Sequence, residues 1–448
     1  MEGVLDRDLE RHRATVPFGA KQGGEIRGRW PWVEPNVWTE RMLMALETGV
    51  KGGKWFSLID KVYDPRNLGS AHRKVKENQG SAGVDHVTVE QFSTHLDKNL
   101  EILASSLKDG SYRPQAIRRV WIPKPGSSEK RPLGIPTVRD RVVQAALRNI
   151  LEPIFEREFA AHSYGFRPRR STKDALRRVS ALLKAGYTFV VDADLRSYYD
   201  TIPHQRLLAR IEAKISDGRV LDLIRAFLDQ EVMAGLEHWT PEEGTPQGAV
   251  ISPLLSNIYL DPLDHRMADE GYEMVRYADD FVILCRSREE AEQALAEVEE
   301  WTASAGLQLH PDKTRIVDAS QPGGFDFLGY HFERGKRWPS KKSLAKYKAK
   351  IRGLTRRTNG LSLQEIIRRI NSINRGWFEY FKHSLKTTFK PLDGWVRMRL
   401  RSILRRRQGK RGRGRGIDHH LWPNAFFAEH GLFSHVMAHA QAHQSSRR

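Results

Sequence analysis

The chain has 448 residues and 39% hydrophobic content, enough for two or three domains with real cores, which excludes a disordered polypeptide. Its single cysteine, Cys285, excludes an internal disulfide or a cysteine-cluster zinc site and suits a reducing cytoplasm. No apolar run approaches the ~20 residues of a membrane span and MEGVLDRDLE lacks a signal-peptide pattern, while the formal charge of +19 favours a polyanionic partner, nucleic acid first.

Residues 1–36 read as a leader, with no legible chemistry in the first thirty and expected to be mobile. Met42, Leu43, Leu46 and Val50 then recur at helical spacing. Tyr187 to Val191 are β-formers running into Asp192 and Asp194, which share a face in an extended strand, with Leu195 opposite. GTPQGAVISPLLSNIYL, from Gly244 to Leu260, is a Gly/Pro loop followed by Ile251, Leu254, Leu255, Ile258 and Tyr259, spaced as in a helix with one buried face. Such a loop offers backbone donors to a phosphate or a base. VRYADDFVIL, from Val275 to Leu284, sets Asp279 and Asp280 side by side between two strand-like stretches.

The charge is concentrated late in the chain. From His331 to Arg415 there are 27 lysines and arginines against four acids, an excess larger than the +19 of the whole chain. A basic module therefore follows a near-neutral one, with the boundary near GKRWPSKKS (335–343). In SLQEIIRRINSINRGWFEYF (362–381), Leu363, Ile366, Ile367, Ile370, Trp377, Phe378 and Phe381 form a core-facing stripe, with Arg368, Arg369, Arg375 and Lys382 on other faces. RRRQGKRGRGRG (405–416) reads as a flexible, phosphate-contacting linker. His419, His420, His439 and His443 lack the cysteines and acids of a zinc or nuclease site and are expected to be solvated.

A strand-end acid, an acid pair in a hairpin and a Gly-Pro-Gln-Gly loop before a helix make one constellation. Three clustered carboxylates are stable mainly when divalent cations neutralise them, and oxygen-only ligands favour Mg²⁺. That is the donor set of two-metal phosphoryl transfer.

These stretches resemble the group II intron-encoded reverse transcriptases and maturases. The resemblance is carried, in order, by GSAGVDHVTVEQF, WIPKPGSSEKRPLGIPTVRDRVVQ, SYGFRPRRSTKDAL, DADLRSYYD, GTPQGAVISPLLSNIYLD, RYADD, LQLHPDKT and FDFLGYHF. It implies an α+β right-hand polymerase with antiparallel fingers and palm over 37–334, a helical thumb or maturase domain over 335–404, and a basic linker with a short tail, associated with DNA binding, over 405–448. It also implies that Asp194, Asp279 and Asp280 hold two Mg²⁺ ions and that Lys124 and Arg131 clamp the incoming triphosphate. Gln247 would lie beside the nucleotide, Tyr198 or Tyr199 would select deoxynucleotides by shape, and Lys313 would supply a proton to departing pyrophosphate. Arg368, Arg369 and Arg375 would grip RNA.

The expected activity is RNA-directed DNA polymerisation with assistance to splicing and retrohoming. The partners would be intron RNA, an RNA template with a DNA primer, target DNA and deoxynucleoside triphosphates. The sequence also reads as the form without a C-terminal endonuclease, one that starts synthesis from a 3′-hydroxyl made elsewhere. A domesticated defence or CRISPR-associated reverse transcriptase and a pure splicing cofactor are the alternatives, and the intact acids argue against the second.

Overall fold

The structure is a computed structural model that describes residues 23–123, 130–414 and 416–445. Its strands are β1 (Ile117–Pro123), β2 (Lys130–Ile135), β3 (Phe189–Asp194), β4 (Val232–Ala234), β5 (Glu237–Trp239), β6 (Glu273–Tyr277), β7 (Asp280–Cys285), β8 (Arg315–Asp318), β9 (Phe325–Phe327), β10 (Tyr330–Glu333) and β11 (Lys336–Pro339). They form three sheets, ordered β2-β1-β4-β5, β6-β7-β3-β8 and β11-β10-β9. The first is the fingers sheet, the second the palm.

Alternation along the palm strands decides what each face does. Val191 and Ala193 on β3, with Phe281, Ile283 and Cys285 on β7, turn into the main core beneath the sheet. Val190, Val282 and Leu284 turn the other way, onto a smaller core shared with Phe325, Phe327, Tyr330 and Phe332. Asp192, Asp194 and Asp280 have the parity of that second face. The apolar run stops there and the acids begin. Burying each large apolar side chain here is worth about 1.5–3 kcal/mol, so a one-residue slip, which would send the acids into the main core, is strongly disfavoured.

Below the sheet runs the helix Ser252–Asp269. The sequence pattern predicts one buried face, but Ser256, Asn257, Leu260, Leu263 and Asp264 are buried as well as the expected stripe. The reason is its position: it touches β6 and the helices Val138–Glu156, His204–Glu212 and Arg288–Ser304. It is a central helix, and its buried Ser252, Asn257 and Asp264 are hydrogen-bonded to the Pro246 carbonyl, the Gly165 carbonyl and Arg276.

The basic segment forms the helices Lys341–Leu354, Leu363–Phe381 and Phe389–Arg407. The predicted stripe is their core, with Ile366, Ile367 and Ile370 packed on Tyr347, Leu392, Val396 and Leu400. Two expectations about the C-terminal region are corrected. A boundary at residue 404 falls inside the third helix, and Trp422 and Phe427 belong to the same core. Nor is the Gly-Arg repeat a free linker where it is described, because Gly414 is buried and donates to Ser402 Oγ at 3.2 Å. A Cβ at Gly414 would meet the Arg401 Cβ at 2.5 Å.

The tail's lock is a carboxylate. Asp393 accepts from His435 N, His435 Nδ1, Ser434 Oγ and Val436 N at 2.6–3.2 Å. His435 is wholly buried among Tyr347, Trp377, Phe378, Phe389 and Phe433. His419, His420 and His443 are exposed as expected, but His439 is buried against Phe389. At the other end, residues 1–22 lie outside the described part of the chain. Residues 23–36 are anchored rather than loose, with Ile26 and Val33 buried and Arg27 Nη2 donating to the Trp38 carbonyl at 2.7 Å. No helix among the described residues is long and apolar enough to cross a membrane.

Candidate active site

Antiparallel register sets Asp194 directly opposite Asp280, where side chains on one face lie roughly 4.5–5.5 Å apart at Cβ. Asp279 precedes Asp280 in the β6–β7 turn, after Ala278 in left-handed backbone at φ +61°. Asp192 stands two residues behind Asp194 and is bridged by Arg315 at 3.3 Å. Lys313 reaches Asp194 Oδ2 at 2.5 Å. Both partners of that pair are substantially exposed, so its net worth is small.

The carboxylates feel each other. Burial, then the charges of Asp279, Asp192 and Asp194, push Asp280 up to about 7. Burial and the nearby Asp194 also raise Asp279, and burial raises Asp192 against the pull of Arg315. Excess negative charge is thus concentrated at one sheet end, made only of oxygen donors. Among the described residues no three acids, histidines or cysteines already converge as a formed metal cage. The donor chemistry and the uncompensated charge nevertheless fit a hard divalent cation.

The loop before the central helix is shaped by close backbone contact. Gly244 has φ +90°, and a Cβ there would lie 2.8 Å from the backbone of Tyr199 and Asp200. Gly248 has φ +111° and presses on the Gly134 carbonyl, where a side chain would collide. Between them the Gln247 carbonyl accepts from Gly134 N at 2.6 Å. This joins the palm loop to the fingers strand β2. A cavity of about 420 Å³ at the junction is bordered by Arg119, Trp121, Gly134, Tyr199 and Gln247.

The two tyrosines are now distinguishable. Tyr198 is wholly buried, with its hydroxyl donating to the Ser256 carbonyl at 2.7 Å, so it is a core residue and not a sugar contact. Tyr199 packs edge-on against it at 5.6 Å, remains partly exposed and borders the cavity. Burial, with the Asp279 charge adding to it, pushes Tyr199 up to about 12.

Other predicted residues are less gathered. Lys124 lies outside the described residues. Arg131 is exposed on β2 opposite Ile122, on the other sheet face from Trp121 and Pro132, and does not border the cavity. Arg119 does, stacked 4.8 Å from the Trp239 ring. Sequence reading missed it, although in an extended segment its alternation with Trp121 would have put the two on one face. On the helix Leu363–Phe381, Arg368 and Arg369 are exposed and both bind Glu365, at 2.7 and 2.6 Å. Their hydrogen bonds pull that carboxyl down to about 2. Arg375 is exposed, 5.6 Å from the Phe433 ring.

Comparison with known proteins accounts for this layout. Residues 122–332 match the reverse transcriptase (RNA-dependent DNA polymerase) family and residues 344–422 the group II intron maturase-specific domain. Protein YkfC of Escherichia coli is 34% identical over 319 residues, covering 62% of this chain and 83% of that protein. The group II intron-encoded protein LtrA of Lactococcus lactis is 39% identical over 196 residues, covering 43% of this chain and 32% of that protein. The mitochondrial nuclear intron maturase 2 of Arabidopsis thaliana is 28% identical over 249 residues, covering 47% of this chain and 33% of that protein. An α+β polymerase fold followed by a helical domain, with the motifs of both in order, makes this chain a member of the group II intron reverse transcriptase and maturase family.

Proposed function

We propose that the protein is an RNA-directed DNA polymerase acting by two-metal nucleotidyl transfer, and that its helical domain holds intron RNA to assist splicing and retrohoming. The observation that carries this reading is the Asp194–Asp280 cross-strand pair with Asp279 in the adjoining turn, a cluster of oxygen donors at one end of the palm sheet.

Asp194 and Asp279, with Asp280 beside them, would hold two Mg²⁺ ions, which when bound acidify the primer 3′-hydroxyl and neutralise the triphosphate. The Tyr199 ring would fill the space that a 2′-hydroxyl needs. Gln247, fixed through its backbone to β2, would hold the nucleotide against the template. Lys124, as the family resemblance implies, would meet the triphosphate together with Arg131 from β2. Lys313, which is paired with Asp194, would supply a proton to the departing pyrophosphate when that carboxylate serves a cation instead. Arg368, Arg369 and Arg375 would contact RNA phosphates.

The test is direct. Purified protein should extend a DNA primer on an RNA template with deoxynucleoside triphosphates, and only with a divalent cation present. Folded protein that binds RNA but never extends a primer would leave the splicing-cofactor reading in its place. An intron ribozyme in the DNA flanking the gene separates the intron-borne form from a domesticated defence or CRISPR-associated one.

A further inference from the structure

The turn that presents Asp279 rests on a side chain the chemistry does not otherwise use. Arg276, near the end of β6, is wholly buried. Its Nε donates to Asp264 Oδ1 at 2.7 Å and its Nη2 to Asp264 Oδ2, a two-pronged grip on the central helix. Its Nη1 donates to Asn257 Oδ1 at 3.0 Å and forward, two residues along its own chain, to the Ala278 carbonyl at 2.8 Å. That carbonyl belongs to the peptide joining Ala278 to Asp279.

A second support comes from the opposite side. Asn257 Nδ2 donates to the Gly165 carbonyl at 2.8 Å. Gly165 lies so close to the turn that a Cβ would overlap the Ala278 amide nitrogen. Backbone bonds from Tyr164 N to the Arg276 carbonyl and from Arg276 N to the His162 carbonyl close the clamp at 2.9 and 3.0 Å. The left-handed Ala278 is thereby held between a guanidinium and a glycine.

A buried ion pair is a poor stabiliser by itself, since apolar residues of similar volume often serve as well. Here one planar fork satisfies three partners on two elements, which a lysine's single ammonium cannot reproduce. We infer that Arg276, with Asn257 and Asp264, is a positioning residue: it fixes the Ala278–Asp279 peptide so that the Asp279 carboxylate is aimed for a divalent cation. The inference rests on the two-metal reading above.

The test uses the full chain carrying Asn257→Ala, which removes one link without unpairing the buried charge, and Arg276→Lys, which keeps the charge but loses the fork. Mn²⁺ binding is titrated by electron paramagnetic resonance without primer or nucleotide, beside thermal melting and RNA binding. Both variants should bind RNA as the parent does and lose Mn²⁺ affinity roughly tenfold or more, the usual effect of removing support behind a metal ligand. The Mg²⁺ needed for half-maximal primer extension should rise in parallel. Unchanged Mn²⁺ affinity in a folded Asn257→Ala protein overturns the inference, whether or not Arg276→Lys folds. If the parent shows no Mn²⁺ binding that Asp279→Ala abolishes, the two-metal reading fails first and takes this inference with it.

Discussion

At the end of the palm sheet, four acids from two strands and a turn, Asp192, Asp194, Asp279 and Asp280, have one cation within ion-pair distance of Asp194 and one of Asp192, and Asp280 is pushed up to about 7. On the helix Leu363–Phe381 the balance is reversed, with the exposed Arg368 and Arg369 sharing a single, partly exposed Glu365. The palm brings charges together from distant parts of the sequence and half-buries them. The helix places them three and four residues apart on one surface. Charge held by the fold is expensive to disturb, whereas charge held by local spacing is screened and worth little until a polyanion arrives.

The sharpest break in that comparison is Asp279→Ala. Primer extension should fall by roughly 10³-fold or more, since removing even one preorganised charge-stabilising group typically costs about 10²–10³. RNA affinity should stay within about twofold, because the cations proposed to meet phosphate lie on the helical domain. Extension near the parental rate would remove Asp279 from the chemistry.

Next comes a place where the helical domain behaves like the palm. Asp393 is buried, and His435, Ser434 and Val436 all donate to it. Burial pushes its carboxyl up, but the hydrogen bonds from His435 and Ser434 outweigh this and leave it below the ordinary 3.8. A depressed carboxyl stabilises the fold above its unfolded value and loses that contribution as pH falls through the folded one. The tail should therefore loosen in acid below about pH 4. Asp393→Ala leaves the donors of His435, Ser434 and Val436 without their acceptor and should cost a few kcal/mol, at about 1–3 kcal/mol for each buried group left unpaired, seen as a lower melting temperature and early proteolysis after residue 416. A variant that melts and resists protease like the parent would show the lock to be unnecessary.

The adjacent tyrosines allow a finer contrast inside the palm. Tyr199→Val should raise ribonucleotide incorporation by about 10- to 100-fold, the span available from filling or emptying a small apolar space. Tyr198→Phe should leave sugar choice alone and cost about 1 kcal/mol through the lost bond to the Ser256 carbonyl. An unchanged ribonucleotide rate in the Tyr199 variant would place the gate elsewhere.

These residues also show how far the sequence could be read. Strand alternation put Asp192 and Asp194 on one face, and the acid pair announced its hairpin. Sequence pattern could not separate Tyr198 from Tyr199, because the chain leaves the strand after Asp194 and enters a 3₁₀ turn over Tyr198–Asp200, where alternation no longer applies. Nor could it show that the central helix is buried on most sides, since that depends on elements far away in the chain. Arg276 read as one more cation of a motif, and Asp393 as one of four acids in a basic segment. Both are defined by partners on other elements. The tail was misjudged for a related reason: Trp422 and Phe427 are too few to make a core alone, and only docking on the preceding helices gives them one.

The smallest effect is the most discriminating for the exposed helix. Replacing Arg368, Arg369 and Arg375 with Gln removes three positive charges, and three independent phosphate contacts would lower the salt slope of RNA binding by roughly 0.7–0.9 each. Two of these arginines already have Glu365 as a partner, so a phosphate must displace a carboxylate before it gains either. The expected drop is therefore below the full sum, with affinity falling only a few-fold in moderate salt. Glu365→Gln separates the possibilities, because it releases both guanidiniums without removing a cation. If this face meets RNA, that variant should bind RNA more tightly than the parent and with a steeper salt dependence. If the arginines merely solvate the helix, neither the triple variant nor Glu365→Gln should move the slope, and the RNA grip must be sought among the other exposed cations of the helical domain.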